Sequence, residues 1–246
     1  MLTRSPRGGP PTFSLSSLAA LLSAAFAVVV AGRWQRTRRP AFAAWAAGLA
    51  IFAAAASVQA AGEAGGFSPA LFRCFYLLGG ALGVIYLALG TVYLLAPRRV
   101  AHACAAVLVV VSVGLALDAA LVPVDAASLG SADGILGGAI DRGSLLHVAV
   151  VVLNSVGTAV LVGGCAWSAW RLARDHAGVD RVVCNVLLTA GALVIAYGFS
   201  AAKTLGSALP TLGGFEALGM AVMFAGFLSL GRVGRRAGME RATLQG

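Results

Sequence analysis

Residues 144–171 read SLLHVAVVVLNSVGTAVLVGGCAWSAWR. This apolar run is long enough to cross a bilayer as a helix, because about 20 residues span the hydrocarbon core. At 100° per residue, its main polar side chains point within about 20° of one direction and extend over roughly 27 Å. They are His147, Asn154, Thr158 and Cys165. Hydrocarbon offers these groups no hydrogen bonds, so we expect this face to point into a bundle of helices.

The composition of the whole chain is typical of a membrane protein. Of its 246 residues, 59% are hydrophobic and 11% are charged, with a mean hydropathy of +0.90, whereas soluble domains carry about 25% charged residues. The apolar runs predict seven spans: 14–32, 41–62, 70–95, 100–122, 144–170, 182–204 and 211–230. They leave a predicted disordered external tail at 1–13 and a basic cytoplasmic tail at 232–246. We therefore predict an all-α, polytopic bundle of seven transmembrane helices in one domain, 14–231, without a separate soluble domain.

The distribution of arginine predicts the orientation. The net charge is +9, and 17 of the 18 basic residues are arginine. The connections after spans one, three and five and the C-terminal tail hold 13 of them, which predicts an external N-terminus and a cytoplasmic C-terminus. The same arginines are expected to contact anionic lipids at the cytoplasmic face, and not nucleic acid. The abundance of Ala, Gly and Arg is typical of a GC-rich bacterial genome, so we expect a multi-pass protein of the bacterial cytoplasmic membrane.

Glycines form a strip on the third span. Gly79, Gly83 and Gly90 point within about 40° of one another. Small residues let two helices approach closely, so this strip predicts a tight helix contact. Such strips can also join two copies of a chain, and an oligomer is therefore a further prediction.

Six of the spans place a titratable side chain near the predicted outer end: Glu63, Arg73, Asp118, His147, Lys203 and Glu216. Two interpretations are open. In the first, these side chains surround an outward-facing vestibule for a polar solute, or form a proton relay in which His147 titrates. In the second, each lies within about two turns of a helix end and reaches the headgroups or pairs with a neighbour. The candidate vestibule residues are Glu63, Arg73, Asp118 and Glu216.

A second polar face is predicted on the sixth span. Asn185 and Lys203 are 18 residues apart and superimpose in helical projection, with Thr189 near the same direction. Two polar faces on neighbouring spans could line a path or simply hydrogen-bond each other. The candidate ligand or ion pathway consists of His147, Asn154, Thr158, Asn185, Thr189 and Lys203.

Asn154 lies near the predicted midplane, where its side chain cannot reach the headgroups. A buried amide in hydrocarbon needs a partner, because an unpaired polar group costs several kcal/mol there. We expect Thr189, a backbone carbonyl of another helix, or water in a cavity.

No motif indicates catalysis. The chain lacks HExxH, GxSxG and Walker A patterns, so we predict that it is not an enzyme and holds no cofactor. Lys203 lies near the outer edge of span six, whereas microbial rhodopsins carry their retinal lysine deep in span seven. The cysteines have no CxxC spacing and are predicted to be structural thiols without a metal: Cys74, Cys104, Cys165 and Cys184.

The first three and last three spans share a layout. Arg33 and Arg36 match Arg171 and Arg174, which predicts parallel three-helix repeats separated by a fourth span. This three-plus-one-plus-three topology resembles the sugar-efflux and PQ-loop transporters, although the Pro-Gln signature of those families is absent. The segments APRRVAH at 96–102 and LNSVGTAVLVGG at 153–164 resemble uncharacterised bacterial seven-span membrane proteins. That resemblance covers most of the chain and implies no function.

Two functions remain open from the sequence. The polar faces favour a small-solute or ion transporter, or a ligand-binding permease. The glycine strips favour a non-catalytic sensor or an assembly subunit that binds partner membrane proteins. A polar cavity that reaches Asn154 would favour transport, and a dry bundle would favour the scaffold.

Overall fold

The computed structural model describes residues 14–131, 133–175, 178–205 and 208–243, without the side chains of 203–205, 208–210 and 230–243. Seven helices in this part of the chain are long and apolar enough to cross a membrane, which confirms the predicted helical bundle. They are α1 (Leu15–Thr37), α2 (Pro40–Gly65), α3 (Pro69–Leu95), α4 (Arg98–Leu121), α5 (Leu145–Arg174), α6 (Val179–Leu205) and α7 (Ala208–Thr243). The predicted tail at 1–13 lies outside the described residues. The helix α7 continues beyond its apolar part to Thr243.

Serine and proline residues mark where several helices begin. The Ser14, Ser68 and Ser144 hydroxyls each accept a hydrogen bond from a backbone N–H in the first turn of α1, α3 and α5. Pro40 and Pro69 occupy first-turn positions of α2 and α3, where no backbone donor is needed. The sequence therefore sets these boundaries locally.

Six helices form a closed ring in the order α1, α2, α3, α5, α6, α7, with α7 packed against α1. Large apolar side chains fill the space along the ring axis, among them Phe26, Leu49, Leu87, Leu161 and Met220. The helix α4 lies outside the ring against α3 and α5. Much of its surface is exposed apolar side chains, as a lipid-facing helix requires.

The α3 glycine strip packs within the chain. A Cβ atom added to Gly79 would lie 3.3 Å from Cβ of Ala55, and one added to Gly90 would overlap the Trp45 ring. Both neighbours belong to α2, so the predicted tight helix contact is confirmed between α3 and α2. This strip is not available to a second copy, and the oligomer stays a prediction.

The helices α6 and α7 approach each other closely at a pair of glycines. A Cβ on Gly191 would lie 2.5 Å from the Gly219 carbonyl oxygen, and a Cβ on Gly219 would lie 2.6 Å from the Gly191 carbonyl oxygen. Real Cβ atoms do not approach a backbone oxygen so closely, so only glycine fits at both positions.

The middle of α3 departs from α-helical geometry. Residues Tyr76–Gly83 form a π-helical segment, which widens the helix locally. Such segments are frequent at functional sites because they redirect side chains. Here the segment brings Gly80 against Val150 of α5, with an added Cβ 3.0 Å from the valine Cγ1.

The connection between α4 and α5 is folded onto the bundle. It contains short helical turns at Ser128–Gly130 and Gly134–Gly138, and its Leu129 and Ile140 side chains are buried. Gly137 has a φ of 117°, and a Cβ there would lie 2.7 Å from the Tyr76 hydroxyl oxygen. Glycine permits this backbone conformation and this approach. The connection therefore packs directly against α3.

A local hydrogen-bond network organises the start of this connection. The Ser128 hydroxyl and then the Ala127 N–H donate to the Asp125 carboxylate and hold the pKa of Asp125 below its ordinary value. The Asp125 N–H donates to the Ala139 carbonyl oxygen at 2.8 Å, which closes the connection on itself.

Candidate functional site

A polar cavity of about 640 Å³ lies between α3, α5, α6 and the α4–α5 connection. The α5 side of the cavity carries His147, Asn154, Ser155 and Thr158, and Tyr76 stands opposite on α3. Three of these are predicted pathway residues, so the structure brings part of the candidate site together. The rest of the lining is apolar and includes Ile135 and Leu136 of the connection, with Ala196 and Phe199 of α6.

His147 and Tyr76 form a polar pair at one side of the cavity. The Tyr76 hydroxyl and His147 Nδ1 are 2.9 Å apart and share a hydrogen bond. Their rings are stacked, with centroids 6.2 Å apart. The pair joins α3 to α5 and presents an imidazole to the cavity, which can donate or accept a proton. Sequence reasoning did not identify Tyr76.

Asn154 and Thr158 form a second polar part of the cavity wall. The Thr158 hydroxyl donates to Asn154 Oδ1 at 3.3 Å, one turn along the same helix. The predicted partner Thr189 instead donates to the Asn185 carbonyl oxygen at 2.9 Å on its own helix. Of the three partners expected for Asn154, Thr189 is therefore not bonded to it, and the Asn154 side chain lines a cavity.

The polar face predicted on α6 does not extend along the polar cavity. Neither residue lines the polar cavity, to which α6 contributes Leu193, Ala196 and Phe199. Asn185 Nδ2 donates to the Arg181 carbonyl oxygen at 2.9 Å. Both side chains thus donate a hydrogen bond to a backbone carbonyl oxygen of their own helix, as short polar side chains commonly do. The Lys203 side chain lies outside the described residues.

Glu63 and Glu216 belong to an acidic cluster between α1, α2 and α7, together with Ser16 and Gln59. The Ser16 hydroxyl donates to Glu63 Oε1 at 2.5 Å. Gln59 Nε2 donates to Ser16 Oγ at 2.8 Å and to Glu63 Oε1 at 3.3 Å. Glu216 is only 4% exposed, and its Oε2 atom has no hydrogen-bond partner among the described residues. Ser16 and Gln59 were missed, although Gln59 stands one turn before Glu63 and therefore on its face.

Arg73 and Asp118 have structural contacts of their own. The Arg73 Nη2 donates to the Val122 carbonyl oxygen at 2.7 Å and so holds the end of α4. Asp118 Oδ2 accepts a 3.0 Å bond from the Leu146 N–H in the first turn of α5, where a carboxylate is favoured. The four candidate vestibule residues therefore do not join His147 in one vestibule, since none lines the polar cavity.

A second large cavity lies at the opposite end of the bundle, where α1, α3 and α5 end. Its volume is about 470 Å³, and we call it the arginine cavity because Arg33, Arg39 and Arg181 line it. The Arg33 guanidinium carbon is 5.5 Å from the ring centroids of both Phe42 and Phe227, at cation–π distance. Asn185 also lines this cavity.

Two small cavities of about 20 and 30 Å³ lie between the large ones. Each holds about one water molecule. Leu87, Leu161 and Met223 line both small cavities. We call the two small cavities, with these three shared side chains, the narrow segment. The first small cavity shares Trp45, Leu188 and Phe227 with the arginine cavity. The second shares Asn154, Thr158, Ala196 and Phe199 with the polar cavity. The four cavities therefore share walls in sequence, and the polar cavity also opens between α5 and α6 onto the surface of the bundle, where its Val151 and Leu193 side chains are half exposed.

No group of three or more His, Cys, Asp or Glu side chains in the described part of the chain could hold a metal ion. The fold defines a multi-pass membrane protein of seven spans. No protein-family model, curated protein or solved structure matches the chain. The function is therefore argued from the cavities.

Proposed function

We propose that this protein is a transporter for a small polar solute or ion, with a path along the axis of the six-helix ring. One observation carries the proposal: the polar cavity, the narrow segment and the arginine cavity follow one another and share lining residues. In the predicted orientation, the arginine cavity would open towards the cytoplasm and the polar cavity towards the outside.

The polar cavity has the properties of a solute site. Its volume of about 640 Å³ lies within the 300–1,000 Å³ range of small-molecule sites. It combines apolar walls with a few hydrogen-bonding groups, namely the Asn154 amide, the Thr158 hydroxyl and the His147–Tyr76 pair. The Asn154–Thr158 bond lies within one helix, so bundle assembly does not depend on it. These groups are available to a ligand.

The narrow segment supplies a closed gate. Its Leu87, Leu161 and Met223 side chains leave room for about one water molecule at a time. Apolar constrictions of this kind exclude ions and polar solutes by dewetting. Transport requires these side chains to separate, which relative movement of the helices would achieve.

Replacing Asn154 by leucine tests the solute site. We expect the Asn154→Leu variant to keep a melting temperature within about 2 °C of the wild type, because the hydrogen bond it removes lies within α5 and does not join two helices. Binding should be lost, because leucine removes a hydrogen-bonding group of the cavity wall. The measurement is a thermal-shift screen of amino acids, sugars, carboxylates and inorganic ions on detergent-purified protein.

Thr189→Val is the matched control, since Thr189 bonds only within its own helix and lines none of the four cavities. A solute that stabilises the wild type and Thr189→Val, but not Asn154→Leu, supports the proposal. A marked loss of stability in Asn154→Leu without any solute response in the wild type would favour a scaffold or sensor subunit instead.

A further inference from the structure

We propose that the arginine cavity is a binding site for an anionic, phosphate-bearing group. This inference stands on the arginine end of the bundle alone and holds whether or not the polar cavity carries a solute. The three arginines reach the cavity from separate parts of the chain: the last turns of α1, the α1–α2 connection and the start of α6. Their convergence is a property of the fold.

The cavity concentrates positive charge without a built-in counter-ion. No acidic side chain lines it. The only ion pair among the described residues joins Arg171 to Asp175, so Arg33, Arg39 and Arg181 have no carboxylate partner there. Like charges around a shared space repel each other, and an anion between them removes that repulsion. Arg39 and Arg181 are exposed to solvent and Arg33 is partly buried, so an anion can reach all three side chains.

The Arg33 side chain is held in a geometry that suits phosphate. The rings of Phe42 and Phe227 each lie 5.5 Å from its guanidinium carbon. Contact with both rings confines the guanidinium beside the cavity, and its N–H groups can donate to oxygen acceptors there. Guanidinium edges bind phosphate through paired hydrogen bonds, which favours phosphate over a monovalent spherical anion.

The remaining walls suit the organic part of such a ligand. Leu94, Leu172 and Leu188 line the cavity beside the arginines. Leu94 is half exposed on the surface of the bundle, so the cavity borders the lipid-facing side. An anionic lipid matches these walls, because its phosphate can contact the arginines while its apolar part contacts the leucines. A free phosphate compound would contact only the arginines. Basic pockets between helices bind lipid headgroups in this way.

A binding experiment on full-length protein separates the two sources. In the lipid arm, native mass spectrometry follows retention of phosphatidylglycerol, with phosphatidylcholine as the zwitterionic comparison. In the soluble arm, calorimetry follows inorganic phosphate at constant ionic strength, with chloride as the comparison. The variants are Arg33→Gln/Arg181→Gln and, as the matched control, Arg98→Gln/Arg99→Gln, whose exposed arginines lie at the same end outside the cavity.

We expect one saturable site for at least one phosphate-bearing probe, weakened about tenfold or more by Arg33→Gln/Arg181→Gln and unchanged in the control, because charge-assisted hydrogen bonds are lost. If only phosphatidylglycerol binds, the ligand is a lipid headgroup. If inorganic phosphate binds as well, the site also accepts soluble phosphate compounds. If the double variant does not fold, Arg181→Gln alone replaces it in the experiment, because it leaves the contacts of Arg33 with Phe42 and Phe227 intact. Equal weakening in the cavity and control variants, or no binding to the wild type, would overturn the proposal.

Discussion

Replacement of Gly191 by leucine is expected to abolish the folded bundle. A Cβ atom at this position would lie 2.5 Å from the Gly219 carbonyl oxygen, and the remaining side-chain atoms would meet α7. Overpacking of a well-packed core costs roughly 1–3 kcal/mol even where side chains can shift. Here the obstacle is backbone, so α6 and α7 would have to separate. We expect little or no monodisperse protein on size-exclusion chromatography.

Gly163→Leu is the matched control. Gly163 lies on the exposed surface of α5, and an added Cβ would meet nothing within 4 Å. This variant should be purified in wild-type yield and melt at the wild-type temperature. If Gly191→Leu also behaved like the wild type, the close packing of α6 on α7 would be incorrect.

The second large effect concerns the gate. Leu161→Ala should widen the narrow segment and expose Cys165, which is buried beside Leu161 in the first small cavity. In a background without Cys74, Cys104 and Cys184, we expect a water-soluble thiol reagent to modify Cys165 at least about tenfold faster in the variant, because thiolate forms only where water reaches the sulfur.

The control for the gate variant is Leu218→Ala, since Leu218 is exposed on the lipid-facing side of α7. It should leave the reaction of Cys165 unchanged. A folded Leu161→Ala protein in which Cys165 stays as unreactive as in the wild type would show that water does not follow the row of cavities.

The sequence was sufficient for the number of spans and for many of their ends. Long apolar runs and local signals such as Ser144 and Pro40 act over short distances, so they can be read without the fold. The order of helices in the ring is different, because it depends on which faces fit together. The apolar pattern of α4 gives only an indirect signal of its place outside the ring, namely a mean hydropathy above that of its neighbours, which suits a helix surrounded mostly by lipid.

The candidate site was predictable on α5 and not on its neighbours. The 3.6-residue period correctly placed His147, Asn154 and Thr158 on one face, which lines a cavity. The same period says nothing about Tyr76, because the π-helical segment changes the phase of α3 at that point. Tyr86 and Tyr93, which do share a face, instead hydrogen-bond Ser112 and His102 of α4.

The polar face predicted on α6 does not line the polar cavity, and Asn185 lines the arginine cavity instead. Periodicity shows which side chains share a direction, but not whether each already has a partner on its own helix. Asn185 and Thr189 bond to backbone carbonyl oxygens one turn earlier and need no polar neighbour. A polar residue therefore indicates a site only where the surrounding helices leave space beside it, as they do at Asn154 and at Asn185 but not at Thr189.

The central claim is that Asn154 lies on a water-accessible path inside the ring. Single cysteines at positions 154 and 152 test it directly, in a background without the four native cysteines. The two positions are neighbours in depth, but Asn154 lines the polar cavity and Val152 is 50% exposed on the outer surface of α5. In proteoliposomes, we expect a charged thiol reagent to modify Asn154→Cys readily and to spare Val152→Cys, because thiolate does not form in lipid. Equal modification of both positions, or modification of Val152→Cys alone, would contradict the proposed path.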